Sequence, residues 1–236
     1  MQRTRARRVA AEAVGTSLLL AAVVGSGIMG ERLAGGNVAV ALLANTIATG
    51  AALVALILTF GPISGAHLNP AVTLADASQG GLPWNDVPLY LAAQVIGGFA
   101  GVASAHLMFE LPVFFVSRHA RSGPAQVFSE FVATFGLLAV IWGCARRGSS
   151  AVPFAVAAYI MAAYWFTAST SFANPAVTLA RSATDTFAGI RPSDAPAFIG
   201  AQLLGAAAAT GFFRWLVPAL PCVAPGVVVP RSRRPD

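Results

Sequence analysis

Two Asn-Pro-Ala triplets, at 69–71 and 174–176, place polar side chains at helix starts within a largely apolar chain. Proline fits the first turn of a helix because its missing N–H would have no partner there. Asparagine is a favoured cap before that turn, and its amide nitrogen remains a donor after its oxygen has capped the helix. Each triplet therefore predicts a short helix, at about 70–79 and 175–184, with an amide donor held at its start.

The composition places these triplets in a membrane protein. The chain has 236 residues, of which 56% are hydrophobic and only 10% charged, whereas soluble domains carry about 25% charged residues. Six segments have the roughly 20 apolar residues that a crossing helix needs. They are about 9–29, 38–60, 86–109, 126–145, 151–169 and 196–217. The triplet helices are too short to cross, so we expect half-helices that begin inside the membrane and line a water-filled path.

The two halves of the chain repeat each other. Three pairs of matching segments keep the same order: 11–16 with 129–134, 67–75 with 172–180, and 93–97 with 201–205. Each half has three spans, an odd number, so the copies must lie inverted in the membrane. Inversion brings both half-helix starts, with their positive ends, to one depth, where they would form a constriction that repels cations. We expect a single channel domain over 1–236, with repeats at about 8–110 and 125–217.

The arginines predict the orientation. All 15 basic residues are Arg, and the six-span topology puts most of them, including those at both ends of the chain, on one side. Cytoplasmic segments carry such an excess, so both tails, 1–7 and 218–236, are predicted to be cytoplasmic and the protein to lie in the lipid of the inner membrane. We expect 218–236 to be disordered. No nucleic-acid motif accompanies the net charge of +6, which excludes nucleic acid as a partner.

Glu12 and Glu130 are ionisable groups inside apolar segments, where a charge is costly and usually functional. One hypothesis makes them the coupling carboxylates of a proton-driven transporter. The other makes them acceptors for backbone N–H groups of the re-entrant loops, and their symmetric placement in the repeat favours it. Gln94 and Gln202 are expected to brace the same loops, with a pore-facing role as the alternative.

Together the segment 64–73, the second triplet and a Glu early in the first and fourth spans resemble the aquaporin (major intrinsic protein) family over about residues 8–217. The resemblance implies an all-α membrane protein, a right-handed bundle of six transmembrane helices with two re-entrant half-helices. It also implies passive transport, no cofactor, and homotetramers with one pore per subunit. The sequence has no metal-ligand spacing and no nucleophile–base set, so we expect no metal site and no enzymatic activity. The family's ladder of pore carbonyls would come from the residues before each triplet, here Gly65, Ala66, His67, Thr170, Ser171 and Phe172.

The selectivity filter departs from the family pattern. An Arg usually stands three residues after the second Asn, and here that position is Val177. Spacing gives Thr49, Ala162 and Ser171 as the other filter positions, with Phe172 as an alternative to Ser171. This ring has no fixed cation, so the resemblance implies a filter wider than that of water-specific members. Arg181, one turn beyond Val177, either guards the outer vestibule or pairs with Asp185, and the spacing of four residues favours the pair.

The run 174–190 is similar to bacterial aquaporins associated with arsenic resistance. This similarity implies that small uncharged solutes pass, namely arsenite and antimonite as neutral trihydroxides and polyols such as glycerol, with some water. A water-selective channel, an ion- or proton-coupled secondary transporter and a closed scaffold protein are the alternatives.

Overall fold

The computed structural model describes residues 4–145 and 151–216, and it is built from eight α-helices in those ranges. They are α1 (Arg5–Leu33), α2 (Val38–Ser64), α3 (Pro70–Ser78), α4 (Val87–Met108), α5 (Pro124–Ala145), α6 (Val152–Phe166), α7 (Pro175–Arg181) and α8 (Ala195–Leu216). Helices α1, α2, α4, α5 and α8 are long and apolar enough to cross a membrane. The predicted tail 218–236 lies outside the described residues.

The first helix begins earlier than the hydropathy predicts. Residues 5–7, expected in a cytoplasmic tail, belong to α1, because the side chain of Thr4 caps its start by accepting a hydrogen bond from the Arg7 N–H. Asp86, just before α4, holds this end in place. Its carboxylate accepts hydrogen bonds from Arg5 and Arg8, at 2.6 and 2.5 Å. Residues 5–7 of the predicted cytoplasmic tail are therefore helical and continuous with α1.

The fifth predicted span, 151–169, forms a shorter helix than expected. Helix α6 has 15 residues, about 22 Å at the usual rise. It ends because Thr167 adopts an extended backbone and leads into the loop that carries Asn174. In the second repeat α6 holds the place that α2 holds in the first, and the two helices pack against each other.

Close contacts join helices within each repeat: α1 packs on α2 and α4, and α5 packs on α6 and α8. Glycine permits the tightest crossings. A Cβ atom added at Gly97 of α4 would lie 2.2 Å from the carbonyl oxygen of Ala13 on α1, and one at Gly205 of α8 would lie 2.5 Å from that of Phe131 on α5. The crossings α1–α4 and α5–α8 are therefore equivalent in the two repeats.

The half-helices α3 and α7 start at Pro70 and Pro175, as the triplets predict. Helix α7 ends at Arg181, three residues before the predicted end at 184. Beyond this end, the carbonyls of Ser182 and Ala183 accept hydrogen bonds from backbone N–H groups of the loop between α4 and α5, residues 109–123. We call the end of the molecule beside this loop the outer end.

Candidate functional site

The two asparagines cap their half-helices. Asn69 Oδ1 accepts a hydrogen bond from the N–H of Ala71 at 2.9 Å, and Asn174 Oδ1 accepts from Ala176 at 3.0 Å and from Val177 at 3.3 Å. Both asparagines have extended backbone, as a residue before a helix requires. The side-chain oxygens are thus committed to the caps, and the amide nitrogens are left to donate.

The asparagine amides also join the two halves of the chain. Asn69 Nδ2 donates to the carbonyl of Ala173, and Asn174 Nδ2 donates to the carbonyl of Leu68, both at 2.8 Å. Each amide nitrogen carries two protons, so one N–H of each asparagine remains for another acceptor. The half-helix starts therefore lie side by side, as the inverted repeat predicts.

Glu12 holds the first re-entrant loop. Its two carboxylate oxygens accept hydrogen bonds from the backbone N–H groups of His67 at 3.0 Å and Leu68 at 2.7 Å, and from the hydroxyl of Ser64 at 2.6 Å. Gln94 Nε2 donates to the same carboxylate at 2.7 Å. The carboxylate is fully buried, and these donors replace the water that it would otherwise bind.

Glu130 holds the second loop in the same way. It accepts hydrogen bonds from the N–H groups of Phe172 and Ala173, each at 2.8 Å, and from Gln202 Nε2 at 2.6 Å. Glu12, Glu130, Gln94 and Gln202 all lie outside the wall of the central cavity described below. Their geometry fits the loop-support hypothesis, and it does not fit a pore-facing role for the glutamines.

Sequence reasoning missed a threonine four residues after each Asn. The hydroxyls of Thr73 and Thr178 each accept from the neighbouring Gln at 2.9 Å and donate to the carbonyl of the capping Asn. The matching spacing in the two repeats was a signal that could have found them. Each half therefore has a continuous chain of hydrogen bonds from glutamate to half-helix.

The backbone before each Asn has several residues in the left-handed region. Positive φ angles occur at Gly65 (97°), Ala66 (46°) and Leu68 (49°) in the first loop, and at Thr170 (60°), Ser171 (51°) and Ala173 (49°) in the second. Such angles are strained for residues with a side chain. The hydrogen bonds from the loop N–H groups to Glu12 and Glu130 stabilise this strained conformation.

A central cavity runs between the repeats, past both asparagines. Its wall is mostly apolar, with polar side chains spaced along it. The polar members are Thr49, His67, Asn69, Tyr164, Ser171, Asn174 and Arg181. Residues 66–68 and 171–173 line it, while Gly65 and Thr170 of the expected carbonyl ladder are not among its wall residues.

The structure brings Thr49, Ser171, Phe172 and Val177 to the outer half of this cavity, and it contradicts the placement of Ala162. Ala162 is exposed on the far side of α6. The inward face of that helix carries Val156, Ile160 and Tyr164, at the spacing of successive turns. Tyr164 takes the place expected for Ala162, and its hydroxyl donates to Thr49 Oγ1 at 3.3 Å. Counting a fixed number of residues back from Asn174 failed here, because the count takes no account of where α6 ends.

Arg181 lines the cavity and is not paired with Asp185, so the favoured interpretation of its spacing is wrong. Asp185 accepts a hydrogen bond from the backbone N–H of Arg118 at 2.7 Å. The Arg181 side chain turns the other way, with Nε donating to the carbonyl of Ala188 and the guanidinium 3.4 Å from the centre of the Phe172 ring.

Arg121, in the loop 109–123, was not predicted from the sequence, in which nothing distinguishes it from other loop arginines. Its guanidinium donates to the carbonyls of Gly189 at 2.8 Å and Ser169 at 3.2 Å. It thereby fastens the loop over the outer end of the cavity. Burial lowers the pKa of Arg121 to about 10, which leaves it charged at neutral pH.

Two further ionisable groups at the outer end have shifted pKa values. Burial and then the charges of Arg121 and Arg181 lower the pKa of His119, so this ring is neutral at pH 7. The hydrogen bond from Arg191 lowers the pKa of Asp194, which remains ionised and accepts from the Arg121 N–H at 2.9 Å. Arg121 and Arg181 thus place positive charge at the outer end of a mostly apolar cavity.

Comparison with known proteins agrees with this geometry. Residues 1–152 match the model of the family described as Major intrinsic protein. The chain is 58% identical to Aquaglyceroporin AqpS of Rhizobium meliloti (strain 1021) over 218 residues, which covers 92% of this chain and 93% of that protein. It is 39% identical to Aquaporin NIP1-3 of Oryza sativa subsp. japonica over 142 residues, 59% of this chain and 49% of that protein.

Among solved structures, the X-ray structure of the aquaglyceroporin from Plasmodium falciparum matches with a TM-score of 0.69. The match covers 93% of this chain and all of that one at 19% identity, which makes it evidence for the fold. The family match, the long relative and the paired half-helices agree, and the chain belongs to the Major intrinsic protein family.

Proposed function

We propose that this protein conducts small uncharged polyhydroxyl solutes, namely arsenite and antimonite as neutral trihydroxides and glycerol, together with some water. Members of its family are channels and not enzymes, and the chain is a passive channel for small solutes. The long relative carries the name aquaglyceroporin. The finer statement about arsenite rests on the similarity of 174–190 to channels of arsenic resistance and on the chemistry of the cavity.

The observation that carries the proposal is Val177. It lines the cavity at the position where the family usually has an arginine. A valine occupies less of the pore than an arginine and has no charge, so it leaves more room at this position and holds bound water less firmly. A trihydroxide or triol is larger than water and needs this extra width.

The wall suits such a solute chemically. Apolar residues line one part of it, and Thr49, Tyr164 and the Asn amides offer hydrogen-bonding groups along another. Glycerol and the arsenite trihydroxide show the same division, with carbon or arsenic at the centre and hydroxyls at the rim. Each hydroxyl that leaves water can then find a partner in the pore, which reduces the cost of desolvation.

A proton-coupled transporter is the less favoured alternative. Its titrating group would have to reach the transport path. Glu12 and Glu130 are the candidates, and each is fully buried with hydrogen bonds to loop N–H groups and a glutamine. We further propose that four copies assemble with one pore each, in the inner membrane, with both ends of the chain in the cytoplasm.

Light scattering and direct uptake in proteoliposomes test the proposal. We expect arsenite and glycerol to enter down their gradients, with water flux also above that of protein-free liposomes, and with no effect of an imposed proton or sodium gradient. Water flux without solute flux would establish the water-selective alternative. Uphill uptake driven by a proton gradient would establish the transporter.

A further inference from the structure

The charge that the filter lacks at Val177 is present one helical turn away. Val177 and Arg181 both line the cavity from α7, and four residues advance a helix by about 6 Å. Arg181 is the last residue of α7 and only 2% exposed. The cavity therefore meets a guanidinium just outside its valine-lined constriction.

This guanidinium is anchored but not neutralised. Nε donates to the carbonyl of Ala188, and the group lies against the Phe172 ring. Within 4–145 and 151–216, neither of its terminal nitrogens donates a hydrogen bond to the protein, and no carboxylate lies in ion-pair contact with it. An aromatic face stabilises a cation without cancelling its charge.

Phe172 and Arg121 fix the position of this charge. The Phe172 ring has the guanidinium of Arg181 on one side and that of Arg121 5.0 Å from its centre. Arg121 also fastens the segments around 169 and 189 through their carbonyls. The Arg181 side chain is therefore held against the pore wall and does not swing freely in the vestibule.

We infer that Arg181 is the cation barrier of this pore, so that width and charge are set by different residues, Val177 for width and Arg181 for charge. Its two free nitrogens would donate to the oxygens of a neutral solute at the outer end, while its charge repels sodium and hydronium. The inference rests on the proposed function, because a barrier of this kind matters only in an open channel.

The test is cation leak through the purified full chain in phosphatidylcholine liposomes. A potassium diffusion potential drives protons or sodium inward, and entrapped dyes report them. We expect Arg181→Gln to raise the leak at least about tenfold, equivalent to about 1.4 kcal/mol, with glycerol flux within about twofold of the unaltered protein. Arg181→Lys, which keeps the charge, should leak little.

Arg118→Gln is the matched control, because it removes one exposed arginine from the loop 109–123, at the same outer end, without altering the cavity wall. It should not change the leak. Adding Val177→Arg to Arg181→Gln should abolish the leak and also reduce glycerol flux, because charge and bulk then return to the constriction.

Two results would overturn the inference: a folded Arg181→Gln protein that excludes cations as well as the unaltered one, or an equal leak in Arg118→Gln. If Arg181→Gln does not insert, Arg181→Lys and the double variant carry the test, and a cation leak through either would contradict the barrier. Absence of both glycerol and arsenite flux in the unaltered protein would instead reject the proposed function, and a cation leak that appears in Arg181→Gln but not in Arg118→Gln would still assign the barrier to Arg181.

Discussion

Two buried glutamates determine the shape of the pore-forming loops. A carboxylate accepts several hydrogen bonds at once and needs no proton of its own, so it can hold consecutive N–H groups of a loop that has no regular backbone pairing. Glu12 does this for His67 and Leu68, and Glu130 does it for Phe172 and Ala173. Hydrogen bonds to a charged acceptor are stronger than neutral ones.

Glu130→Gln is therefore expected to destabilise the protein by about 2 kcal/mol or more, because an amide NH₂ would face a backbone N–H and leave it without an acceptor. Glu12→Gln should behave alike, and solute flux should fall in both. Thermal unfolding in detergent and liposome flux are the measurements.

Glu31→Gln is the control for this pair, since Glu31 is exposed at the outer end of α1. It should leave both quantities unchanged. A loss of stability as large as that of Glu130→Gln would show that the loop contacts are not the cause.

The loop-supporting role of these glutamates could be predicted from the sequence, because each glutamate has a counterpart at the matching place in the other repeat. The asparagines, glutamines and prolines were predictable for the same reason. The roles of Arg121 and Tyr164 could not be predicted from repeat symmetry. Their positions depend on how the loop 109–123 folds over the cavity and on where α6 ends, and both are decided by tertiary contacts.

Arg181 illustrates the limit of local rules. A spacing of four residues favours an ion pair on a helix surface by only a few tenths of a kcal/mol. Here α7 ends at Arg181, so Asp185 is not on the same helix and binds Arg118 instead. The local preference loses to the backbone contacts of the loop.

Helix pairs α1–α4 and α5–α8 are held together by close approach of their backbones. Van der Waals packing drives helix association in lipid, where apolar surface gains nothing by leaving a hydrocarbon solvent. Gly97 and Gly101 of α4 leave room for the carbonyl oxygens of Ala13 and Ser17 on α1, each of which would be 2.2 Å from an added Cβ.

Gly97→Ala should push α4 away from α1 and cost about 1–3 kcal/mol of stability. Gly200→Ala on α8 is the matched control, because an added Cβ there meets nothing within 4 Å. It should be neutral or slightly stabilising, since alanine favours the helix. Equal unfolding temperatures for the two variants would contradict close packing at Gly97.

The molecule as a whole has one order of helices twice, in α1–α4 and again in α5–α8, as the hydropathy and the repeat predicted. Orientation in the cell is a separate question, predicted from the arginines alone. In the six-span topology the start of α1 and the end of α8 share one side of the membrane, and the end of α1 lies on the other.

Thiol labelling measures this orientation. On a background with Cys144→Ser and Cys222→Ser, we expect Arg7→Cys and Arg214→Cys to react with an impermeant reagent only from the cytoplasmic face. Glu31→Cys should react only from the outside. If positions 7 and 214 both react from the outside, the protein has the opposite orientation. If they react from opposite sides, the chain does not cross the membrane six times.

The paired hydrogen bonds between Asn69 and Ala173 and between Asn174 and Leu68 have a consequence for biosynthesis. Residues 173 and 174 emerge from the ribosome about a hundred residues after 68 and 69, so when the earlier loop is made it has neither the acceptor for Asn69 nor the donor for the Leu68 carbonyl. A partly synthesised chain therefore has no finished conduit, and the membrane stays sealed until the last helices arrive and the two loops meet.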